Sequence, residues 1–279
     1  MSDPIRSRRA RHLAERALVR LVHAYGDIPE CVLLGGLVPD LLCRTATWPH
    51  QGTTDVDVQV DLEIQGGSLN SERLERALTD CGFSPDPQRV WRWRENTEPG
   101  LVAKIEFLAD LNDVADRTTV SFDGCEALGA VNLRGTGFAA KDWTLHLLTS
   151  TVDDRQATVQ LRVATLPAYL LAKTHAAHGR NLPKDWYDIA YVLLHNDGGG
   201  PSEASQRVID RFGQDLVGAT DTAIGELVAN FADANAQGSK AYATTMFGLY
   251  PDLDVDVLAN DAVEAVDTFV TALRSGDRS

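Results

Sequence analysis

A chain of 279 residues, of which 44% are hydrophobic and 24% charged, has the composition of a globular protein with one large domain or two smaller ones. Its formal net charge of -14 argues against a general nucleic-acid coat, because binding to a phosphate backbone depends on Lys and Arg. The sequence lacks both the roughly 18 uninterrupted apolar residues of a spanning helix and the pattern of a signal peptide. We therefore expect a cytoplasmic protein with no membrane partner.

The first predicted elements are an amphipathic helix and a short strand. Apolar residues recur at helical spacing from Leu13 to Tyr25, and the apolar run at 31–34 precedes two glycines, Gly35 and Gly36. A helix-like stretch follows the glycines. The order is therefore strand, glycine turn and helix, in which backbone N–H groups at the turn could approach phosphate oxygens, although most glycine pairs are simply turns.

The next predicted strand, within residues 52–64, carries acid on one face. Side chains alternate along a strand, so Asp55 and Asp57 share one face while Val56 and Val58 share the other. Asp is disfavoured in strands, and neighbouring like charges repel, which favours a bound cation over a solvated face. Two carboxylates at this spacing suit Mg²⁺, which typically takes one or two carboxylates together with substrate phosphates.

A third metal ligand is predicted on a neighbouring strand. A helix that we expect Ser71 to cap ends at Gly82, and two strand-like stretches follow at 89–95 and 101–110. Glu106 lies in the second stretch among apolar residues and is the candidate third ligand. The alternative for Glu106, a solvent-facing residue paired with Lys104 or an arginine, is weighed equally.

The rest of the chain is predicted to be mainly helical. Residues 111–165 read as loops and short strands that we cannot order, whereas 166–179 and 183–196 are helices, each with a proline near its start. A linker rich in Gly, Pro and Ser at 195–205 precedes further helices. The predicted fold class is thus α+β, a mixed sheet with flanking helices followed by a helical C-terminal region, with domains at 1–165 and 166–279.

Two motifs carry a family resemblance. Gly35–Gly36 followed by Thr54–Asp55–Val56–Asp57 resembles the signature of the DNA polymerase beta-type nucleotidyltransferases. Within that superfamily, Lys173 followed by the segment 184–188, Lys-Asp-Trp-Tyr-Asp, resembles the AbiEii-like toxins of type IV toxin-antitoxin systems. The resemblance covers about residues 31 to 195. It implies a polymerase-beta-like nucleotidyltransferase core, with an NTP and Mg²⁺ as ligands.

The resemblance also implies roles for individual residues. The nucleotide-binding residues would be Gly35, Gly36, Thr54 and Lys173, the metal ligands Asp55, Asp57 and Glu106, and the further catalytic residues Lys173, Asp185 and Asp188. Lys173 would hold the triphosphate, while Asp185 and Asp188 share a helix face and could orient that lysine or the acceptor. The alternatives are a snorkelling Lys173 at the margin of the core and an Asp185 that only stabilises its helix start.

Three functional hypotheses remain. The first is a Mg²⁺-dependent nucleotidyltransferase whose candidate acceptor is a tRNA 3′ end, acting as a toxin with a cognate antitoxin as its candidate partner, as the resemblance implies. The second is a transferase acting on a cationic small molecule such as an aminoglycoside, which an acidic surface attracts. The third is an inactive nucleotide-binding module.

Overall fold

The computed structural model describes residues 8–51, 55–60, 70–98, 101–152 and 154–276. Side chains are described within these ranges except at 8–10, 55–60, 96–98, 101 and 276. Thr54 therefore lies outside the described residues, and Asp55 and Asp57 are described by their backbone only. Within the described ranges, no helix is both long and apolar enough to cross a membrane.

The chain divides into two compact units. The first comprises Met1–Val38 and Gly52–Ala164, and the second comprises Pro39–Gln51 and Thr165–Ser279. The predicted boundary between residues 165 and 166 remains a prediction about folding domains. The second unit also takes in residues 39–51, an assignment that the sequence does not predict.

The first unit is built on a mixed sheet with helices packed against it. Its described strands follow the order β3-β4-β5-β2-β1-β9-β8, and β7, which pairs with β6, adds to the end of β5. The predicted α+β class, a mixed sheet with flanking helices followed by C-terminal helices, is confirmed. The elements are α1 (Arg8–Tyr25), β1 (Cys31–Leu34), α2 (Val38–Leu42, which continues into the second unit), β2 (Asp55–Val60), α3 (Ser71–Asp80), β3 (Ser84–Asp86), β4 (Arg89–Glu98), β5 (Leu101–Ala109), β6 (Thr119–Ser121), β7 (Gly129–Asn132), α4 (Gly137–Lys141), β8 (Trp143–Val152) and β9 (Arg155–Ala164).

The core of this unit lies between α1 and the sheet. Helix α1 packs against α3 and against β5, β8 and β9. Its predicted apolar stripe is buried as expected, at positions Leu13, Ala14, Ala17, Leu18, Leu21, Val22 and Tyr25. On the sheet side, Ile105 and Phe107 of β5 are almost completely buried. Burying such side chains contributes about 1.5 to 3 kcal/mol each, so this layer accounts for much of the unit's stability.

Two details of the first unit differ from the sequence expectations. The N-cap of α3 is Asn70, whose side chain accepts a hydrogen bond from the backbone N–H of Arg73, so the prediction of Ser71 as the cap is wrong by one residue. Residues 143–164, expected as loops and short strands, instead form the antiparallel pair β8 and β9 over ten residue pairs from Trp143–Ala164 to Val152–Arg155. Strand β9 then pairs in parallel with β1.

The second unit is helical. Helix α6 is its most deeply buried element, with every residue from Asp185 to Leu193 buried, and it packs against α5, α9 and α10. Such all-round burial agrees with the uninterrupted run of apolar and aromatic residues at 189–194, in the second half of α6. Its helices are α5 (Leu166–Arg180), α6 (Pro183–His195), α7 (Pro201–Phe212), α8 (Ala219–Asn230), α9 (Gln237–Leu249) and α10 (Val255–Gly276), with a 3-10 turn at Gly213–Asp215.

Candidate functional site

The acidic strand β2 lies in the middle of the sheet of the first unit. It pairs with β1 on one side and in parallel with β5 on the other. The register pairs Val56 and Val58 with buried Ile105 and Phe107 of β5. Asp55 and Asp57 are paired with Lys104 and Glu106, which are half-buried. The division of β2 into an apolar face and an acidic face stays a prediction, because the side chains of this strand lie outside the described ones.

The two glycines directly follow the strand that neighbours the acid pair. Strand β1 ends at Leu34, which is paired with Asp57. Gly35 has a φ of +87°, a conformation that L side chains rarely adopt, and the backbone N–H of Val38 donates a hydrogen bond to its carbonyl at 3.2 Å. Helix α2 begins at Val38. The predicted order of strand, glycine turn and helix is therefore present, and a residue other than glycine at position 35 would be strained.

Glu106 is engaged with an arginine. The register pairs Arg92 with Glu106 across β4 and β5, and the Arg92 guanidinium binds Glu106 Oε1 through Nε and an η nitrogen. The two side chains are only 17% and 14% exposed. The alternative weighed from the sequence is thus right about the arginine partner and wrong about the exposure, because the Glu106 side chain is largely buried rather than solvent-facing. A role for Glu106 as a metal ligand stays a prediction.

The fit of a metal to this region depends on its carboxylates. Among the residues with described side chains, no group of three or more His, Cys, Asp or Glu could hold a metal ion, a search that does not include Asp55 or Asp57. Two carboxylates plus the phosphates of a nucleotide are nonetheless a usual magnesium environment. The residue types at positions 55 and 57 therefore fit Mg²⁺.

A second cluster, which we call the Lys173 cluster, lies within the second unit. It consists of Lys173 and Arg180 on α5, Asp185 and Asp188 on α6, and His50. Lys173 Nζ lies 3.1 Å from Asp185 Oδ1 and 2.8 Å from Asp188 Oδ2. An η nitrogen of Arg180 lies 2.9 Å from Asp185 Oδ1. The helical spacing of Asp185 and Asp188 puts both carboxylates on the face of α6 that meets Lys173.

Lys173 is charged inside the protein. Its side chain is only 7% exposed, and those of Asp185 and Asp188 are 0% and 1% exposed, so the alternative of a snorkelling lysine is wrong. Burial lowers the pKa of Lys173, but the charges of Asp188 and Asp185 outweigh that effect and leave the pKa above its ordinary value. The ammonium group therefore remains protonated at neutral pH.

His50 is the member of the Lys173 cluster that sequence reasoning missed. Its Nε2 lies 2.9 Å from Asp188 Oδ1, and its Nδ1 lies 3.9 Å from Asp40 Oδ2. Nothing in the spacing of a single histidine signals such a contact, because 138 residues separate it from Asp188. Arg180, in contrast, lies two helical turns after Lys173 and could have been found from that spacing.

Three tyrosine hydroxyls bind the backbone on either side of His50. Tyr191 donates to the Trp48 carbonyl and Tyr250 to the Pro49 carbonyl, each at 2.9 Å. The Tyr187 hydroxyl accepts from the backbone N–H of residue 51 at 3.0 Å. Backbone polar groups outside helices and sheets require such partners when they are buried. The segment 48–51, which we call the His50 segment, is therefore held in one conformation.

Among the residues with described side chains, the remaining histidines and the cysteines form no group of three that could hold a metal ion. His175 and His178, three residues apart on α5, differ in their surroundings: His175 Nε2 lies 3.2 Å from the Thr220 hydroxyl, and His178 is exposed. The four cysteines, all within the described ranges, form no disulfide; three are buried and Cys125 is half-buried.

All members of the Lys173 cluster except His50 lie in the part of the chain that matches a family model, described as "Nucleotidyl transferase AbiEii toxin, Type IV TA system". Residues 138–272 match the AbiEii family model. The predicted resemblance to AbiEii-like nucleotidyltransferases is confirmed over this range, which is slightly less than half of the chain. The AbiEii match includes Lys173, Arg180, Asp185 and Asp188. The matched range begins after Asp55, so the functional interpretation of the acidic strand depends on its motif and register alone.

Other comparisons add little to the family match. No curated protein matches the chain. Among solved structures, the chain is similar to an antigenic nucleotidyltransferase-like protein from Paracoccidioides brasiliensis. The two are 14% identical, with a TM-score of 0.39, and the similarity covers 77% of this chain and 94% of that chain.

Proposed function

We propose that this protein is a Mg²⁺-dependent nucleotidyltransferase that transfers a nucleotide from an NTP to an acceptor hydroxyl. The observation that carries the proposal is the register of β1 and β2. It sets the Gly35–Gly36 turn at the end of the strand that pairs with Asp57. The AbiEii match, which covers Lys173, Arg180, Asp185 and Asp188, supports the same chemistry.

Each group has a distinct role in the proposed reaction. The acceptor oxygen attacks the α-phosphorus of the NTP, and the bond from that phosphorus to the pyrophosphate breaks. A base accepts the proton of the acceptor hydroxyl. Asp55 and Asp57 would hold Mg²⁺, with Glu106 as a third ligand if it leaves Arg92. Bound Mg²⁺ supplies charge stabilisation for phosphoryl transfer. The glycine turn would bind phosphate oxygens through its N–H groups.

The Lys173 cluster would bind the triphosphate. An ammonium group is a compact cation with three donors, which suits phosphate oxygens. Asp185 and Asp188 hold Lys173 Nζ at 3.1 and 2.8 Å and so limit its rotamers before a nucleotide arrives. Pre-organisation of this kind reduces the entropy cost of binding. Thr54 would add a hydroxyl contact.

The proposal also names an acceptor and a protein partner. We propose a tRNA 3′ end as the acceptor and a cognate antitoxin as the partner, in line with the type IV toxin-antitoxin description of the matched family. The net charge of -14 favours a second candidate, a cationic small molecule such as an aminoglycoside. The two differ in salt dependence, because tRNA binding weakens steeply as salt rises, with a slope set by the phosphates contacted.

The test is transfer of label from each of the four NTPs. Purified protein is incubated with Mg²⁺ and labelled NTP, with total tRNA in one series and an aminoglycoside panel in another. We expect label on one acceptor class and a loss of more than about 100-fold in Asp57→Ala, because a metal ligand is removed. Asp113→Ala, which removes an exposed carboxylate from the same unit, is the matched control and should retain activity.

The outcomes separate the hypotheses. Label on tRNA supports the toxin-like transferase, and label on an aminoglycoside assigns the reaction to the small-molecule class. NTP binding without any transfer, unchanged in Asp57→Ala, would contradict the proposed enzyme and favour an inactive nucleotide-binding module.

A further inference from the structure

We propose that His50 is a positioning residue for nucleotide binding: it fixes the carboxylate of Asp188, and through it the ammonium group of Lys173. The inference rests on the proposed function. It adds a residue that lies outside both the sequence motifs and the range matched by the AbiEii model.

The two oxygens of Asp188 have different partners. Oδ2 accepts from Lys173 Nζ at 2.8 Å, while Oδ1 lies 2.9 Å from His50 Nε2. Because an ionised carboxylate only accepts, Nε2–H is the donor. Two bonds on opposite oxygens fix the rotation of the carboxylate plane. Without the His50 bond, the carboxylate of Asp188 loses one of these two constraints, so Asp188 fixes the direction of Lys173 less firmly, while Asp185 still contacts Nζ at 3.1 Å.

His50 is itself held rigidly. Its side chain is 0% exposed, and its ring stacks on Tyr187 with centroids 5.0 Å apart and meets the edge of Tyr191 at 4.8 Å. The hydroxyls of Tyr191 and Tyr250 bind the Trp48 and Pro49 carbonyls. A group that is fixed in both its ring and its backbone can transmit that order to Asp188.

A second carboxylate, that of Asp40, faces the other side of the His50 ring. Asp40 Oδ2 lies 3.9 Å from His50 Nδ1, on the side of the ring away from Asp188. This distance is too long for a hydrogen bond, so the contact of Nε2 with Asp188 is the one that carries the proposal.

The test uses variants that separate positioning from folding. His50→Phe keeps an aromatic ring of similar size against Tyr187 but removes the bond to Asp188. His50→Gln keeps a side-chain N–H near the position of Nε2. Tyr191→Phe is the matched control: it removes a hydroxyl bond to the same His50 segment and leaves Asp188 untouched. The dissociation constant of each Mg²⁺–NTP is measured by calorimetry, and KM and kcat by label transfer.

We expect His50→Phe to weaken NTP binding about tenfold, the effect of losing a hydrogen bond to a charged group, with a smaller effect on kcat. His50→Gln should restore most of the affinity. Tyr191→Phe should lower the melting temperature without changing the affinity for NTP. Because His50 acts through Lys173, adding His50→Phe to Lys173→Met should cause no further loss of affinity.

Two results would overturn the inference. One is a His50→Phe variant whose melting temperature falls, as we expect for Tyr191→Phe, but which binds NTP as tightly as the wild type. The other is full additivity with Lys173→Met. If His50→Phe does not fold, the comparison is made between His50→Gln and His50→Asn, whose shorter amide cannot reach Asp188.

The proposed function can fail separately. A wild-type protein that binds NTP but transfers no label to any acceptor contradicts the transferase, whereas the dissociation constants still decide the role of His50. A wild-type protein that binds no NTP overturns both proposals.

Discussion

Lys173 is an ammonium group enclosed by protein, and two carboxylates offset the free-energy cost of its burial. We expect Lys173→Met to lower the free energy of unfolding by about 3 to 5 kcal/mol, because it leaves Asp185 and Asp188 buried without their cation. Urea denaturation measures the change. Lys240→Met, at an exposed position in the same unit, should change stability by less than about 0.5 kcal/mol. An equal effect of the two substitutions would contradict the buried ion pair.

His195 provides a second residue-scale prediction, because burial lowers its pKa to about 4, with a smaller contribution from His50. The unfolded chain, with a histidine pKa near 6.5, takes up the proton first as pH falls. The contribution of neutral His195 to the free energy of unfolding is therefore fully present above pH 6.5 and decreases as pH falls toward 4. We expect His195 to lower the free energy of unfolding by roughly 2 kcal/mol as pH falls from 6.5 to 4.5.

The measurement is the free energy of unfolding at several pH values for the wild type and His195→Gln. Glutamine can keep the hydrogen bond to the Tyr242 hydroxyl, which His195 Nε2 contacts at 3.0 Å, but it does not titrate. The variant should lose less stability than the wild type over this pH range. Parallel curves for the two proteins would show that His195 is not the group responsible.

At the scale of elements, helix α3 depends on one side chain at its start. The Asn70 side chain accepts from the Arg73 N–H at 2.9 Å, which satisfies one of the unpaired donors of the first turn. Asn70→Ala should cost about 1 kcal/mol, and Asn70→Asp, which keeps an acceptor, should cost less. Thermal unfolding monitored by circular dichroism distinguishes the two. A neutral Asn70→Ala would mean that the cap adds nothing to stability.

Elements with one clear face were predictable, and those without were not. The stripe of α1 repeats at helical spacing and is buried as predicted. Strand β8 has the opposite arrangement: Leu145 and Leu147, at alternate positions, are 48% and 67% exposed. Apolar residues alternate with threonine and histidine only over 143–147, and Leu148 ends the alternation halfway along the strand. The sequence therefore indicated short strands where a ten-residue pair exists.

At the scale of the whole molecule, local motifs predicted most of the candidate site. The acid pair and the glycine turn follow from spacing along the chain, whereas the contacts of Lys173 with Asp185 and Asp188 join two helices and were expected from the family resemblance. The pairing of Glu106 with Arg92 was one of two weighed alternatives, because a strand pattern does not reveal its cross-strand neighbour. His50 was missed for a stronger reason: its partners, Asp188 and the tyrosines of α6, become neighbours only after folding.

The assignment of residues 39–51 to the second unit limits how this protein can be recombined. The chain leaves the first unit after Val38, returns at Gly52 and leaves again after Ala164, so one crossover near residue 165 separates the His50 segment from its tyrosines. A chimera that takes only its C-terminal half from a homologue would combine an inherited loop with a foreign helix α6. Grafts should therefore exchange both pieces together, and sequence divergence in residues 39–51 should follow that of α6.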